Sequence, residues 1–183
     1  TTYTEDLKAG KKRYYTEKGI ADRGRADTKG IFTVQYPEEK MKVPEEFRFL
    51  PFLVYDVLED GTKDLRCTAC GICAKACPPQ CIWITRAKDR ETGKPVPHPT
   101  KFYIDIDICM NCGFCAEYCP FDSIKMDHVY ELATYSRQNH IYDCEKLAKS
   151  ADYYKSIRPL NYAMEEQAKL EKAAAKKPAA ASE

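Results

Sequence analysis

The sequence predicts an α+β fold: a small module with a pseudo-two-fold repeat, flanked by an extended N-terminal arm and a helical C-terminal arm. Three observations predict it. Eight of the ten cysteines lie in two clusters, Cys67 to Cys77 and Cys109 to Cys119, and an offset of 42 residues superimposes them. The same offset carries Gly71 onto Gly113, Pro78 onto Pro120, Ile82 onto Ile124 and Ile84 onto Met126, the mark of one structural unit used twice. Each copy also has the same grammar: an extended segment, a cysteine loop, a helical turn ending in Cys-Pro, then another strand.

In chain order, residues 1–30 are basic, contain tyrosines and lack clear periodicity. Val54 to Leu58 reads as a strand, and Asp60-Gly61 as the turn after it. The first cysteine loop follows, then a return strand over Cys81-Ile82-Trp83-Ile84. Thr85 to Lys101 is charged and carries Pro95, Pro97 and Pro99, which predicts a surface loop between the copies. Phe102, Ile104, Ile106 and Ile108 alternate with Tyr103, Asp105 and Asp107, the period of a half-buried strand. The second loop leads to a return strand over Ser123-Ile124-Lys125-Met126. Residues 143–177 read as two helical pieces broken at Pro159, with Asn161 as an N-cap and Glu165 to Lys169 as an i,i+4 pair. From about Ala173 the chain is low in complexity. The predicted division is an N-terminal arm over 1–58, the repeat module over 59–130 and a C-terminal arm over 131–183.

Composition narrows the function classes. The chain has 183 residues, a formal net charge of +1, and 31% charged residues. A near-neutral chain lacks the basic surplus that phosphate neutralisation needs, so nucleic acid is not an expected partner. Mean hydropathy is −0.58, and no apolar stretch approaches the ~18 residues of a membrane span. The segment Thr1 to Asp6 has no apolar core and does not read as a secretory signal. The repeat is too short to be held well by apolar burial alone, which points to something inorganic at its centre.

Each cluster has the spacing C-x2-C-x2-C-x3-C-P, the run found in bacterial ferredoxins. Three thiolates two residues apart wrap one loop around three corners of an iron–sulfur cube. Gly71 and Gly113 allow the tight, left-handed backbone such a loop needs. The fourth cysteine is carried away on a helical turn and reaches the other cluster. The expected ligand sets are therefore Cys67, Cys70, Cys73 and Cys119 for one [4Fe-4S] cluster, and Cys109, Cys112, Cys115 and Cys77 for the second. The fold class sharpens to a ferredoxin-like 2[4Fe-4S] module whose halves are tied through metal. Zinc is the competing reading, but a tetrahedral site has no use for the third cysteine of each run. Disulfides are the other, and such closely spaced cysteines suit their geometry poorly.

Two cysteines remain. Cys81 falls opposite Ser123 and reads as a small residue packed beside a cluster; Cys144 reads as a free thiol in a helical stretch. His98, His128 and His140 stand apart from any cysteine spacing and read as ordinary packing or surface residues. Ile72 and Phe114 are expected to shield the clusters from water. There is no G-x-G-x-x-G after a strand, no Walker A run, no HExxH and no nucleophile arrangement, so no catalytic residues are expected. Two clusters without a substrate signature make an electron conduit.

The flanks carry a resemblance. Thr33-Val34-Gln35-Tyr36-Pro37-Glu38-Glu39-Lys40, then Pro44 and Phe47-Arg48-Phe49, resembles the opening segment of the chain I (23 kDa-type) subunit of NADH:quinone oxidoreductase, respiratory complex I. Tyr130-Glu131-Leu132-Ala133-Thr134-Tyr135-Ser136-Arg137 resembles the segment after the second cluster in that family. The resemblance covers about residues 30–142. Departures are Gly71 in the first loop, the partly kept arginine-rich string at Phe47-Arg48-Phe49, the Thr85 to Lys101 loop and the C-terminal extension. The resemblance implies an electron-relay subunit that is not itself catalytic. It would pass single electrons through two [4Fe-4S] clusters towards a terminal cluster and quinone. Its partners would be other peripheral-arm subunits, and membrane-arm subunits near residues 1–50. It would lie peripherally on the cytoplasmic side of a bacterial inner membrane, or the matrix or stromal side in an organelle. The same module serves ferredoxin-fed and photosynthetic complex I-like enzymes and membrane-bound hydrogenases, and a soluble ferredoxin is the more distant alternative.

Overall fold

A computed structural model describes residues 36, 37, 40 and 43–176, with side chains up to residue 171. The chain divides into two compact units, Thr1–Pro44 and Glu45–Glu183. The readings of residues 1–30 and of the chain beyond residue 176 lie outside the described residues.

In the second unit, β1 (Pro51–Val57) leads through a tight turn at Asp60 and Gly61 into β2 (Lys63–Leu65). The first cysteine loop and α1 (Ile72–Ala76) follow, then β3 (Ile82–Lys88) and β4 (Pro95–Asp105). The second loop and α2 (Phe114–Glu117) lead to β5 (Ile124–Met126). After a 3₁₀ turn at Arg137–His140 come β6 (Ile141–Tyr142), α3 (Cys144–Leu147) and β7 (Ala148–Ser150). The helices α4 (Ala151–Ile157) and α5 (Pro159–Lys176) close the described chain.

Strand β1 is the hub of a four-stranded sheet. It pairs antiparallel with β5 over Pro51–Leu53 and with β2 over Tyr55–Val57, and parallel with β7 over Leu53–Tyr55. A second sheet has the order β3-β4-β6, all antiparallel. Both predicted return strands are present, as β3 and β5, and each pairs with the strand preceding the opposite cysteine loop: Ile82 opposite Ile104, and Ile124 opposite Leu53. The pseudo-two-fold thus interlocks the two copies through backbone pairing.

The apolar core follows from the period-2 patterns. Leu53, Ile82, Phe102, Ile104, Ile124 and Met126 pack with Cys67, Cys73, Cys77, Cys81 and Cys115 in one cluster. Strand β1 is buried on both faces, because its alternate residues Phe52 and Val54 pack with Tyr154 of α4. A strand covered on both sides reads as a continuous apolar run, and Pro51-Phe52-Leu53-Val54 does.

The sequence reading needs five corrections. Thr85 to Lys101 is not a loop but most of a long β3–β4 hairpin, turned at Asp89 to Lys94. Its prolines are tolerated because β6 pairs only with Ile104 and Asp105, and the β3–β4 register shifts between Thr85 and Lys88. The strand expected through Ile108 ends at Asp105, as Ile106 to Ile108 turn into the second cysteine loop. The segment after residue 143 is not wholly helical, since Ala148–Ser150 adds to the edge of β1. Asn161 is not an N-cap: Pro159 opens α5, and the Asn161 N–H is accepted by Glu45 Oε1 at 2.9 Å. Nor does Glu165 pair with Lys169, which bonds Glu166 at 2.8 Å. Glu165 instead accepts from Lys125 Nζ at 2.5 Å and from the Tyr154 hydroxyl at 2.6 Å, which pins α5 to the module.

Candidate metal centre

The two cysteine loops repeat in backbone conformation as well as spelling. Gly71 and Gly113 cap α1 and α2 with φ of 79° and 81°, the left-handed conformation expected of them. The same offset pairs Ala69 with Asn111, at φ 55° and 52°, and Gln80 with Asp122, at φ 55° and 51°. Non-glycine residues rarely adopt this conformation, and the sequence pattern gave no sign of it. Two arginines brace the loops from outside. Arg86 Nε donates to the Ala69 carbonyl at 3.2 Å, and Arg48 Nη1 donates to the Cys112 carbonyl at 3.0 Å while pairing with Glu117 at 2.5 Å. Neither belongs to a cysteine motif, so spacing alone did not reveal them.

Around these loops lie two cavities of nearly equal size. One encloses about 320 Å³, counting its solvent-open side, and is lined by Cys67, Cys70, Cys73 and Cys119 with Leu53, Ile84, Phe102 and Ile124. The other encloses about 310 Å³ and is lined by Cys109, Cys112, Cys115 and Cys77 with Pro51, Ile82 and Met126. Each cavity therefore takes three thiols from one loop and the fourth from the other copy. Ile72 lines the first cavity as expected. Phe114 does not line the second: Met110 does, and Phe114 packs edge-on against Tyr118, 41% exposed.

All ten cysteines are free thiols. Burial, followed by the neighbouring thiols, pushes Cys73 and Cys115 up to about 12, and burial raises Cys67 as well. Such thiols are acidified by a metal that takes them as thiolates, so binding releases protons. Cys81 lies with its sulfur 3.3 Å from that of Cys77. The neighbouring Cys109 thiol, burial and Cys77 push the Cys81 thiol far up, while Cys81 holds Cys109 below the usual thiol range. Cys144 stands on the first turn of α3, raised by burial against the core. The histidines have ordinary contacts. His98 is exposed, His128 packs on Phe47 and lies 3.1 Å from the Glu45 carbonyl, and His140 sits 2.5 Å from Asp107.

The donor set fits iron–sulfur clusters. Among the described residues no three His, Cys, Asp or Glu side chains gather closely enough for a single metal ion. The thiols are instead spread around cavities with apolar walls, the arrangement of a multi-iron group. The Thr68 hydroxyl, on the first cavity wall, is buried without a partner among the described residues, and a buried donor of this kind calls for an acceptor.

Comparison with known proteins agrees with this chemistry. Residues 66–128 match the 4Fe-4S dicluster domain. NADH-quinone oxidoreductase subunit I 2 of Symbiobacterium thermophilum is 41% identical over 128 residues, 69% of this chain and 51% of that protein. The protein of the same name from Geobacter metallireducens is 33% identical over 115 residues, 63% of this chain and 82% of that protein. NADH-quinone oxidoreductase subunit I of Psychrobacter arcticus is 42% identical over 115 residues, 63% of this chain and 59% of that protein. The match thus spans about half the length of the Symbiobacterium relative and most of the Geobacter one. With two four-thiol cavities in a dicluster domain and this likeness over most of its length, the chain belongs to the NADH-quinone oxidoreductase subunit I family.

Proposed function

We propose that the chain is the electron-relay subunit of an NADH:quinone oxidoreductase. One [4Fe-4S] cluster is held by Cys67, Cys70, Cys73 and Cys119, and the other by Cys109, Cys112, Cys115 and Cys77. The observation that carries this reading is the division of eight thiols between two cavities, three from one loop and one from the other copy in each. When bound, the clusters supply reversible one-electron transfer. The chain's own part is to wrap them, to keep water off through Leu53, Ile82, Ile84, Phe102 and Ile124, and to aim backbone N–H groups at sulfur. Cys81 N–H points at Cys77 Sγ and Ser123 N–H at Cys119 Sγ, each at 3.4 Å. No residue serves as acid, base or nucleophile.

Apart from β1, which is built into the module's own sheet, residues 1–58 and 131–183 act as arms that hold the 59–130 module among other peripheral-arm subunits and near the membrane-arm subunits. Exposed Met110, Phe114, Tyr118 and Phe121 around the second loop support a subunit with partners. The assembly lies on the cytoplasmic side of a bacterial inner membrane, held there by its partners. No described helix is long and apolar enough to cross a membrane.

The test is isolation of the native assembly. Two low-temperature EPR signals from reduced [4Fe-4S] centres, with flavin-containing NADH-oxidising subunits co-purifying, are expected. An assembly without those subunits would overturn NADH as the electron source. For the ligand sets, Cys77→Ser is expected to weaken the signal of the Cys109, Cys112 and Cys115 centre while sparing the other. The reverse loss would refute the crossing.

A further inference from the structure

Cys81 and Ser123 hold equivalent places in the two copies, four residues past Cys77 and Cys119. Both are buried, at 1% and 3% exposure. Cys81 Sγ lies 3.3 Å from Cys77 Sγ, and Ser123 Oγ lies 3.3 Å from Cys119 Sγ. The sulfur touched by each residue lies on a different cavity: Cys77 on the second, Cys119 on the first. The backbone N–H groups of Cys81 and Ser123 approach sulfur equally, at 3.4 Å in both copies. What distinguishes the copies at this position is the side-chain donor, a thiol in one and a hydroxyl in the other.

A metal-bound thiolate has no proton, so the direction of these contacts is fixed: Cys81 S–H and Ser123 O–H donate. A donor to sulfur stabilises the reduced state, which carries more negative charge, and so raises the reduction potential. A hydroxyl is the stronger donor and a thiol the weaker. We propose that Ser123 and Cys81 are the paired positioning residues that set the two reduction potentials separately. Ser123 acts on the centre of Cys67, Cys70, Cys73 and Cys119, and Cys81, more weakly, on the centre of Cys77, Cys109, Cys112 and Cys115. This rests on the crossed ligand sets proposed above.

The test is an EPR-monitored redox titration of the full chain with both clusters loaded, each signal assigned by its perturbation in Cys70→Ser or Cys112→Ser. Ser123→Ala is expected to lower the reduced-to-oxidised ratio of the first centre about tenfold at fixed potential, ~59 mV for one electron, leaving the second unchanged. Cys81→Ser is expected to raise the second and leave the first. The near-isosteric Ser123→Cys guards against misfolding and is expected to give a smaller fall than Ser123→Ala. An exchangeable proton coupling in ENDOR spectra should disappear for the first centre in Ser123→Ala. A shift confined to the opposite centre in each variant would overturn the crossed ligand sets. Unmoved potentials, or equal shifts of both centres in every variant, would overturn the donor role.

Discussion

Glycine 71 and glycine 113 look interchangeable in the sequence, and the structure separates them by what lies outside each loop. A Cβ on Gly71 would meet nothing within 4 Å, whereas one on Gly113 would lie 3.0 Å from Arg48 Cδ and Nη1. Both residues are left-handed, so alanine costs about 1 kcal/mol at either. At Gly113 it should also displace Arg48 from the Cys112 carbonyl, a further ~1 kcal/mol. Gly71→Ala is therefore expected to lower the thermal midpoint of the cluster-loaded chain by about 3 °C, and Gly113→Ala by about twice that. In an Arg48→Ala background the two penalties should become equal; a persisting difference in that double-mutant cycle would show that Arg48 is not the cause. At this scale the eight cavity thiols were legible, because spacing encodes them. Arg48, Arg86 and the left-handed Ala69 were not, since each acts through a contact with a distant segment or through a backbone angle.

Among the elements, the 3₁₀ turn at Arg137–His140 shows how a weak local signal becomes fixed. Arg137 reaches Asp105 at 2.5 Å and Asp107 at 2.9 Å, and His140 reaches Asp107 at 2.5 Å. The Arg137 hydrogen bond holds the buried Asp105 carboxyl below the usual carboxylate range. A depressed carboxylate stabilises the fold above its unfolded pKa, about 3.9, and that contribution is lost as pH falls through the lower folded value. Because Arg137 is half-exposed, solvent screens the pair and its contribution is modest. After pH jumps, Asp105→Asn should lose its cluster absorbance about twofold to fivefold faster than the parent chain at pH 6. The ratio should approach one below pH 4; a ratio independent of pH would rule out the linkage. Elements with a strong period, β4 and the return strands, were readable. The proline-bearing end of β4 and the three-residue β2 and β7 were not, because pairing partners and edge position decide such strands.

For the whole molecule, the C-terminal segments form the second wall of β1. Beyond the Phe52, Val54 and Tyr154 cluster, buried Asp127 is paired with Lys149 and accepts from the Tyr153 hydroxyl at 2.6 Å. Removing residues 143–183 would strip β7 from β1, expose Phe52 and Val54 and leave the Asp127 charge unpaired. The loss is about 5 kcal/mol from apolar exposure alone, comparable with the stability of a small domain. Such a chain retains all eight cavity thiols yet is expected to hold less iron and to precipitate. Iron and acid-labile sulfide analysis checks this, and full retention in a soluble truncated chain would show that the module stands alone.

By itself the sequence determined the chemistry and the repeat: eight thiols in two spaced runs, the glycines between them, and the return strands. Local spacing suffices there, because the reach of a loop is set by the residues between its cysteines. Only the tertiary structure decided which arginine braces which loop and what covers the far face of β1. Those outcomes depend on which distant segments meet, and on burial, which no single stretch of chain encodes.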